Sequence, residues 1–449
     1  MPRTGFLGLS FAQRLRKHPL AGLTELASYG DIAHTWMGPY RLYLVNHPDL
    51  IQQVLATDRK KFRKEPRQIA VLGSVDGAGL VTSEGELWAR QRRLVQPAFH
   101  RDQLAYYAGV IVGKTSAMVD GWQATQEVDV TTAMTELTLG VVVKTLFNLE
   151  VSEQAARLGQ AVRVLSEILV RELSQPLLLP DWLPFPEKRR KRRAFAEVDG
   201  FIQEVIRARR ASGEDHGDLL SMLLTTVDDA DEGDGRGMSD QQARDEAITL
   251  FNAGHDSTAA ALAWTWYLIG AHPDVEARLY DEVDTVLGDR DASFDDLSRF
   301  RWTEMVAKEA MRLYPRTWAL FFRQAVEHTQ LAGYPIPRGS WIYLSSWATH
   351  RECPVLPRPA EVRSGALLAR AGGRDPWHGY FPFGVGPHTC VGNHFAMMEV
   401  VLILATVLRR ATLSLPEVAV AEPEPLVAIR PRGGLSACFI RRGSGARAE

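Results

Sequence analysis

Apolar side chains recur every three or four residues over most of the chain, the period of helices with one buried face. The pattern predicts helices over Leu87–Gln96, Tyr106–Trp122, Val151–Leu173, Arg193–Arg210, Met238–Ile269 and Trp302–Leu313, and an apolar helical run over Asn393–Arg409. Period-two alternation is confined to short stretches: Ile32–Trp36 and Arg41–Val45 around Gly38-Pro39, Gln330–Ile336, Trp341–Leu344, Val427–Arg430 and Ser436–Ile440. Gly254 and Asp256 interrupt the otherwise apolar segment Ala247–Ile269. Asp228-Asp-Ala-Asp-Glu-Gly-Asp-Gly235 reads as a disordered loop, and no internal repeat is visible. Length alone would allow about three domains. With no linker rich in Gly, Ser or Pro, the expectation is one mostly α domain over residues 1–449, with small β-sheets.

Composition narrows the function classes. Hydrophobic residues make up 45% and charged residues 24%, enough apolar material for a large core. A formal net charge of −2 gives no electrostatic case for nucleic acid, so the basic run Glu187-Lys-Arg-Arg-Lys-Arg-Arg193 reads as a solvated surface. The stretch Gly5–Ala12 is too short to span a bilayer, and no other run reaches the roughly 18 apolar residues a span needs. The expectation is a soluble, cytoplasmic, monomeric protein without a membrane anchor. Three widely spaced cysteines, Cys353, Cys390 and Cys438, form neither a disulfide framework nor a zinc site.

Cys390 carries the strongest chemical signal. It lies in the glycine-rich loop Phe381-Pro-Phe383-Gly384-Val-Gly386-Pro-His388-Thr-Cys390-Val-Gly392, just ahead of the Asn393–Arg409 run. The first N–H groups of a helix have no intrahelical partner, and with the helix dipole they favour a thiolate over a thiol. Gly384, Gly386 and Gly392 let the backbone bend and let a planar group approach the sulfur. The spacing Phe383-x-x-Gly386-x-His388-x-Cys390-x-Gly392 resembles the haem-ligand loop of the cytochromes P-450, a family that normally has Arg where this chain has His388.

Three further motifs stand in that family's order. Ala253-Gly254-His255-Asp256-Ser257-Thr258 places an acid and two hydroxyls in an apolar helix, where an acid is costly unless hydrogen-bonded or hydrated. It resembles the oxygen-binding groove of the P-450 distal helix, with Ser257 where the family has Thr. Glu309-Ala-Met-Arg312 alone would be an exposed i,i+3 pair worth roughly 0.2–0.5 kcal/mol. In the family such a pair is buried and completed by an Arg, a position that aligns here with Ala366; Arg363 is a candidate substitute. Trp88-Ala-Arg-Gln-Arg92 sets an indole N–H and a guanidinium one turn apart. By resemblance these two, with His388 and Arg323, meet the haem propionates, which require charge-assisted donors. His255 and His394 read as satisfied polar residues, and His100 as structural.

The resemblance spans residues 30–441 and implies a P-450 fold, with haem b between a long distal helix and the proximal cysteine-loop helix. It makes Cys390 the iron ligand, and it places Ala253, Phe383, Gly384 and Gly392 at the cofactor. Asp256, Ser257 and Thr258 become the proton route, and Glu309 and Arg312 a structural pair. Phe251, Asn252, Trp318, Ala319, Phe321, Gly434 and Leu435 become pocket residues. The implied reaction inserts one atom of O2 into a hydrophobic terpenoid, fatty acid or similar compound. Only about 60 residues follow the cysteine, too few for a fused reductase domain. Electrons would then come from NAD(P)H through a separate ferredoxin or flavodoxin, with Arg90 and Arg93 as candidate docking charges. The alternatives are a peroxide-driven peroxygenase, which would lack the acid–hydroxyl pair, a non-catalytic haem sensor or carrier, and a haem-free helical scaffold.

Overall fold

Proline and short polar caps start most of the helices. A computed structural model describes residues 14–15, 17–37, 39–150, 153–175, 178–228, 237–319, 322–352, 379–415 and 421–442. Its helices in the first half are α1 (Pro19–Ala27), α2 (Pro48–Gln52), α3 (Pro66–Asp76), α4 (Gly85–Val95), α5 (Arg101–Asp120), α6 (Val130–Phe147), α7 (Glu153–Ser174) and α8 (Pro186–Ser212). There follow α9 (Leu219–Thr225), α10 (Asp240–Ala271), α11 (Pro273–Leu287), α12 (Arg301–Leu313), α13 (Ser346–Glu352) and α14 (Asn393–Arg410). Pro186 opens α8 earlier than the periodicity predicts, because Pro suits the first helical turn. The basic run is not simply solvated: Lys188 and Lys191 turn inward onto Glu172 and Asp181.

A five-stranded sheet runs β1-β2-β8-β5-β3, from β1 (Ile32–Met37), β2 (Tyr40–Val45), β3 (Phe62–Lys64), β5 (Arg323–Ala325) and β8 (Trp341–Leu344). A second joins β4 (Thr125–Asp129), β12 (Ser436–Arg441) and β9 (Ala411–Ser414). The segment expected as one strand over Gln330–Ile336 is a hairpin of β6 (Thr329–Leu331) and β7 (Tyr334–Ile336), turning at Ala332 and Gly333 with φ of 49° and 77°. Near the C-terminus, β10 (Pro423–Pro425) pairs with β11 (Ile429–Pro431).

The central core packs α5, α6, α10, α12 and α14 together. α10 starts at a capping box, in which Ser239 and Gln242 exchange side-chain and backbone bonds at 3.2 and 3.1 Å. The polar insert at Gly254–Thr258 leaves it continuous. Ser257 Oγ donates to Ala253 O at 2.6 Å and Thr258 Oγ1 to Gly254 O at 3.2 Å, so the hydroxyls are satisfied within the helix. α6 opens only at its start, where Thr132 and Glu136 are exposed, and is buried almost throughout from Leu137 to Phe147. By length and composition it is also apolar enough to cross a membrane, and 67% of it is buried inside the fold. The acidic stretch is anchored at its start: Asp228 is buried and takes a forked pair from Arg93 at 3.0 and 2.9 Å. Residues 229–236 lie outside the described residues, as do Cys353, Arg363 and Ala366.

Candidate active site

Cys390 closes a tight loop. Its N–H donates to Phe383 O at 2.9 Å, Gly384 N–H to Phe381 O at 3.0 Å, and Thr389 N–H to Gly386 O at 3.0 Å. Gly384 and Gly386 take φ of 78° and 75°, which residues with a Cβ rarely adopt. A Cβ on Gly386 would stand 2.6 Å from Leu55 O, so the loop is pressed against the helical turn Gln53–Thr57. Gly392 caps α14, and Cys390 therefore sits beside that helix's unpaired N–H groups.

Two internal elements are partly open where a packed core would be closed. Asn252, Ala253 and Gly254 are partly exposed in the middle of α10, between buried Phe251 and buried His255. Phe383, Gly384, His388, Cys390 and Gly392 are partly exposed as well. α10 and α14 meet farther along, where Thr258 touches the fully buried Glu399. Both elements therefore keep atoms open to a ligand close to where α10 and α14 pack together.

The surroundings of His388 in the cysteine loop are basic. The indole of Trp88 lies on the His388 ring with centroids 3.9 Å apart. Burial, then Lys64, Arg323, Arg59 and Arg92, push the His388 imidazole down to about 3. Arg92 Nη1 donates to Thr389 O at 2.7 Å, tying α4 to the cysteine loop. Lys64 Nζ donates to the carbonyls of Val81 and Ser83 at 2.9 and 2.7 Å. Burial and the charge of Arg323 hold its ammonium down to about 7. Burial also lowers Arg323 to about 10, against the pull of Glu84, and its Nη1 has no hydrogen-bond partner. A buried guanidinium with an idle donor, in a cluster of cations with few carboxylates, is costly until an anion arrives. These residues fit a planar group bearing two carboxylates and a metal that takes sulfur.

The pair Glu309–Arg312 is buried, with side-chain exposures of 2% and 0%. Two parallel bonds of 2.7 Å join the carboxylate to the guanidinium. Arg312 Nη1 also donates to His350 O at 3.0 Å, and His350 Nε2 accepts Phe381 N–H at 3.0 Å. The pair is thereby tied to the start of the cysteine loop through His350.

The Cytochrome P450 family profile matches residues 3–439. The chain belongs to the cytochrome P450 family. It is accordingly a haem-iron oxidoreductase that incorporates oxygen from O2. It is 34% identical over 422 residues to cyclooctat-9-en-7-ol 5-monooxygenase of Streptomyces melanosporofaciens, covering 90% of this chain and 86% of that one. It is 35% identical over 427 residues to cyclooctatin synthase of the same organism, covering 94% and 90%. Pentalenene oxygenase of Streptomyces avermitilis is 31% identical over 424 residues, covering 93% and 92%.

Against the P450 pattern, several expected residues stand elsewhere or are already engaged. Asp256 is no isolated acid: it forms an ion pair with Arg430 of β11, and the two side chains are 10% and 15% exposed. Arg430 is drawn in turn toward Glu167 and repelled by Arg163, both on α7. Arg90 and Arg93, the candidate docking charges, both pair with Asp228, and the Arg93 side chain stays 39% exposed. Trp318 donates its indole N–H to Leu426 O at 2.8 Å and packs with Ala319 against β8. Gly434 abuts the Asp129 carboxylate, and Leu435 sits in the central core with α14, apart from the cluster of Phe251. Phe321 lies outside the described residues. His255 is a satisfied core residue, its Nδ1 at 2.9 Å from Phe251 O.

Lys64, His350 and Arg430 belong to the site without standing out in the sequence. For Lys64 a signal existed: it shares the inward face of β3 with Phe62, as period-two alternation requires. Nothing local marked the other two.

Proposed function

We propose that this P450 inserts one oxygen atom from O2 into a terpenoid, with Cys390 as the thiolate ligand of haem b. The observation that carries the reading is the partial exposure of Asn252–Gly254 on α10 and of the Cys390 loop, beside a basic cluster in which the buried Arg323 keeps an idle Nη1. Arg92, Arg323, His388 and Trp88 would hold the propionates, and Lys64 would join them. When bound, the haem supplies O2 binding and, through its thiolate, the electron push that favours O–O cleavage. The chain's own residues do the rest. Phe251 and its apolar neighbours keep water from the substrate side. Ser257 keeps its hydroxyl beside the Ala253 carbonyl, ready to hold a proton. Asp256 and Arg430 lead from that hydroxyl toward the partly exposed strand β11.

The substrate class rests on the relatives: three oxygenases whose names carry cyclooctatin-type or pentalenene substrates align over most of both chains. Electrons come from NAD(P)H through a separate ferredoxin or flavodoxin. Two measurements test the proposal. The carbon-monoxide complex of the ferrous protein should show the red-shifted Soret band of thiolate ligation. Reconstitution with a ferredoxin, its reductase and a terpenoid library should give products one oxygen heavier. Loss of the band overturns Cys390 as ligand. Turnover with peroxide but none with the electron-transfer chain favours a peroxygenase.

A further inference from the structure

The distal wall holds a polar pair that neither oxygen chemistry nor haem binding uses. Asn252 Nδ2 donates to Asp76 Oδ1 at 2.8 Å, joining the end of α3 to the partly exposed middle of α10. Among the described residues the Asp76 carboxylate has no other hydrogen bond, and Asn252 Oδ1 has none. Val71, Leu72 and Val75 of α3 and Ile248 and Phe251 of α10 belong to the apolar cluster on this side, while Arg244 and Asp245 act on the Asp76 carboxyl from α10. A carboxyl and an amide with idle acceptors in such a wall cost stability unless a ligand completes them.

The pair is held in place. The loop after α3 lies so close to α10 that a Cβ on Gly77 would meet the Asp245 carboxylate at 2.3 Å, and one on Gly79 would meet Thr249 Oγ1 at 2.0 Å. Ala78 N–H donates to Asp245 Oδ2 at 2.9 Å and Leu80 N–H to Glu246 Oε2 at 3.1 Å. Asp76 therefore cannot swing away without dismantling this seam. Burial pushes its carboxyl up to about 6, with Asn252 and Arg244 pulling it down, so it is largely ionised near neutrality and accepts hydrogen bonds.

We infer that Asp76 and Asn252 form a hydroxyl-reading anchor, which selects a terpenoid alcohol over the parent hydrocarbon. The anchor rests on the terpenoid reading above. Both idle groups are acceptors, so the complementary ligand group is a donor, and the only donor a lightly oxidised terpenoid offers is its hydroxyl. Asn252 precedes Ser257 by five residues, about 7.5 Å along the helix axis. A substrate anchored there presents to the oxygen groove a carbon remote from its hydroxyl. In a reaction sequence this enzyme then follows a step that installs an alcohol, either water capture by a terpene carbocation or an earlier hydroxylation.

The test is a Soret titration of the haem-loaded enzyme with two matched pairs, cedrol against cedrene and nerolidol against farnesene. Wild type should bind each alcohol at least about tenfold more tightly than its hydrocarbon, the worth of one hydrogen bond to a charged group. Replacing both partners, Asp76→Leu with Asn252→Leu, should abolish the preference while hydrocarbon affinity holds or rises. Asn252→Ala, a milder change, should cut the preference several-fold and serves if the double variant does not fold. Equal binding of alcohol and hydrocarbon by wild type overturns the anchor and leaves the terpenoid reading standing. So does an alcohol preference that survives in the variants. Binding of neither class overturns the terpenoid reading and the anchor with it.

Discussion

Cutting Arg312 back to Ala should destabilise the haem-loaded protein by about 3–5 kcal/mol, the range for stripping one partner from a buried ion pair. The magnitude follows from what remains. Glu309 would keep a carboxylate with 2% side-chain exposure and lose both of its 2.7 Å bonds. His350 O would lose its 3.0 Å donor, and an unsatisfied buried carbonyl adds about 1–3 kcal/mol to the same deficit. Replacing both residues by Leu removes the stranded charge, so the double variant should recover a substantial part of the loss. Urea unfolding followed by circular dichroism, with haem release followed at the Soret band, measures both quantities. Haem should leave earlier in Arg312→Ala, because the pair reaches Phe381 and the cysteine loop through His350. A loss below about 1 kcal/mol, the scale of an exposed pair, would refute the reasoning.

Cys390→Ser should fold and lose the thiolate-type carbon-monoxide band; a variant that keeps the band would move the ligand elsewhere. Ser257→Ala should retain haem and consume NAD(P)H with less product per electron pair, and Arg430→Gln should do the same by releasing Asp256; unchanged product-to-cofactor ratios in both would place the proton route off this face. Burial raises the Glu399 carboxyl to about 8, so between about 4.5 and 8 the folded state keeps a proton that the unfolded chain has released, and stability falls as pH rises through that window. Glu399→Gln should flatten that fall, as read by the urea midpoint at pH 5 and pH 9, and an equal fall in both proteins would contradict it.

What the sequence made legible was whatever repeats locally. Helices with one wet face, such as α12 and α4, lie within a residue or two of the ranges their periodicity predicts. α6 offers little wet face to read, because its second half, Leu137–Phe147, is almost entirely buried. The Cys390 loop was legible because its chemistry needs several residue types at fixed offsets within one short segment. Asp256 was legible as an unusual acid, while its fate was not. Its partner Arg430 arrives from a C-terminal strand, and no pattern around either residue encodes that meeting. The same holds for Asp76 with Asn252 and for Arg93 with Asp228. In each case long-range topology decides whether a charge is spent or free.

Buried charge in this molecule sorts by whether the protein answers it, and the sorting locates the site. Arg209 is matched by Asp218 at 2.8 Å, Lys191 by Glu172 at 2.8 Å and Arg312 by Glu309 at 2.7 Å, all where helices or their ends pack together. The protein leaves two others incompletely answered: the idle Nη1 of Arg323 and the idle Oδ1 of Asn252. Those groups are held by rigid neighbours, so they are not loose surface charges that water serves. Holding an unanswered charge in place costs folding free energy, and the cost is recovered only if a ligand supplies the missing partner. The unanswered guanidinium calls for a carboxylate and the unanswered acceptor calls for a donor. A porphyrin dianion and an alcohol would answer the two in turn.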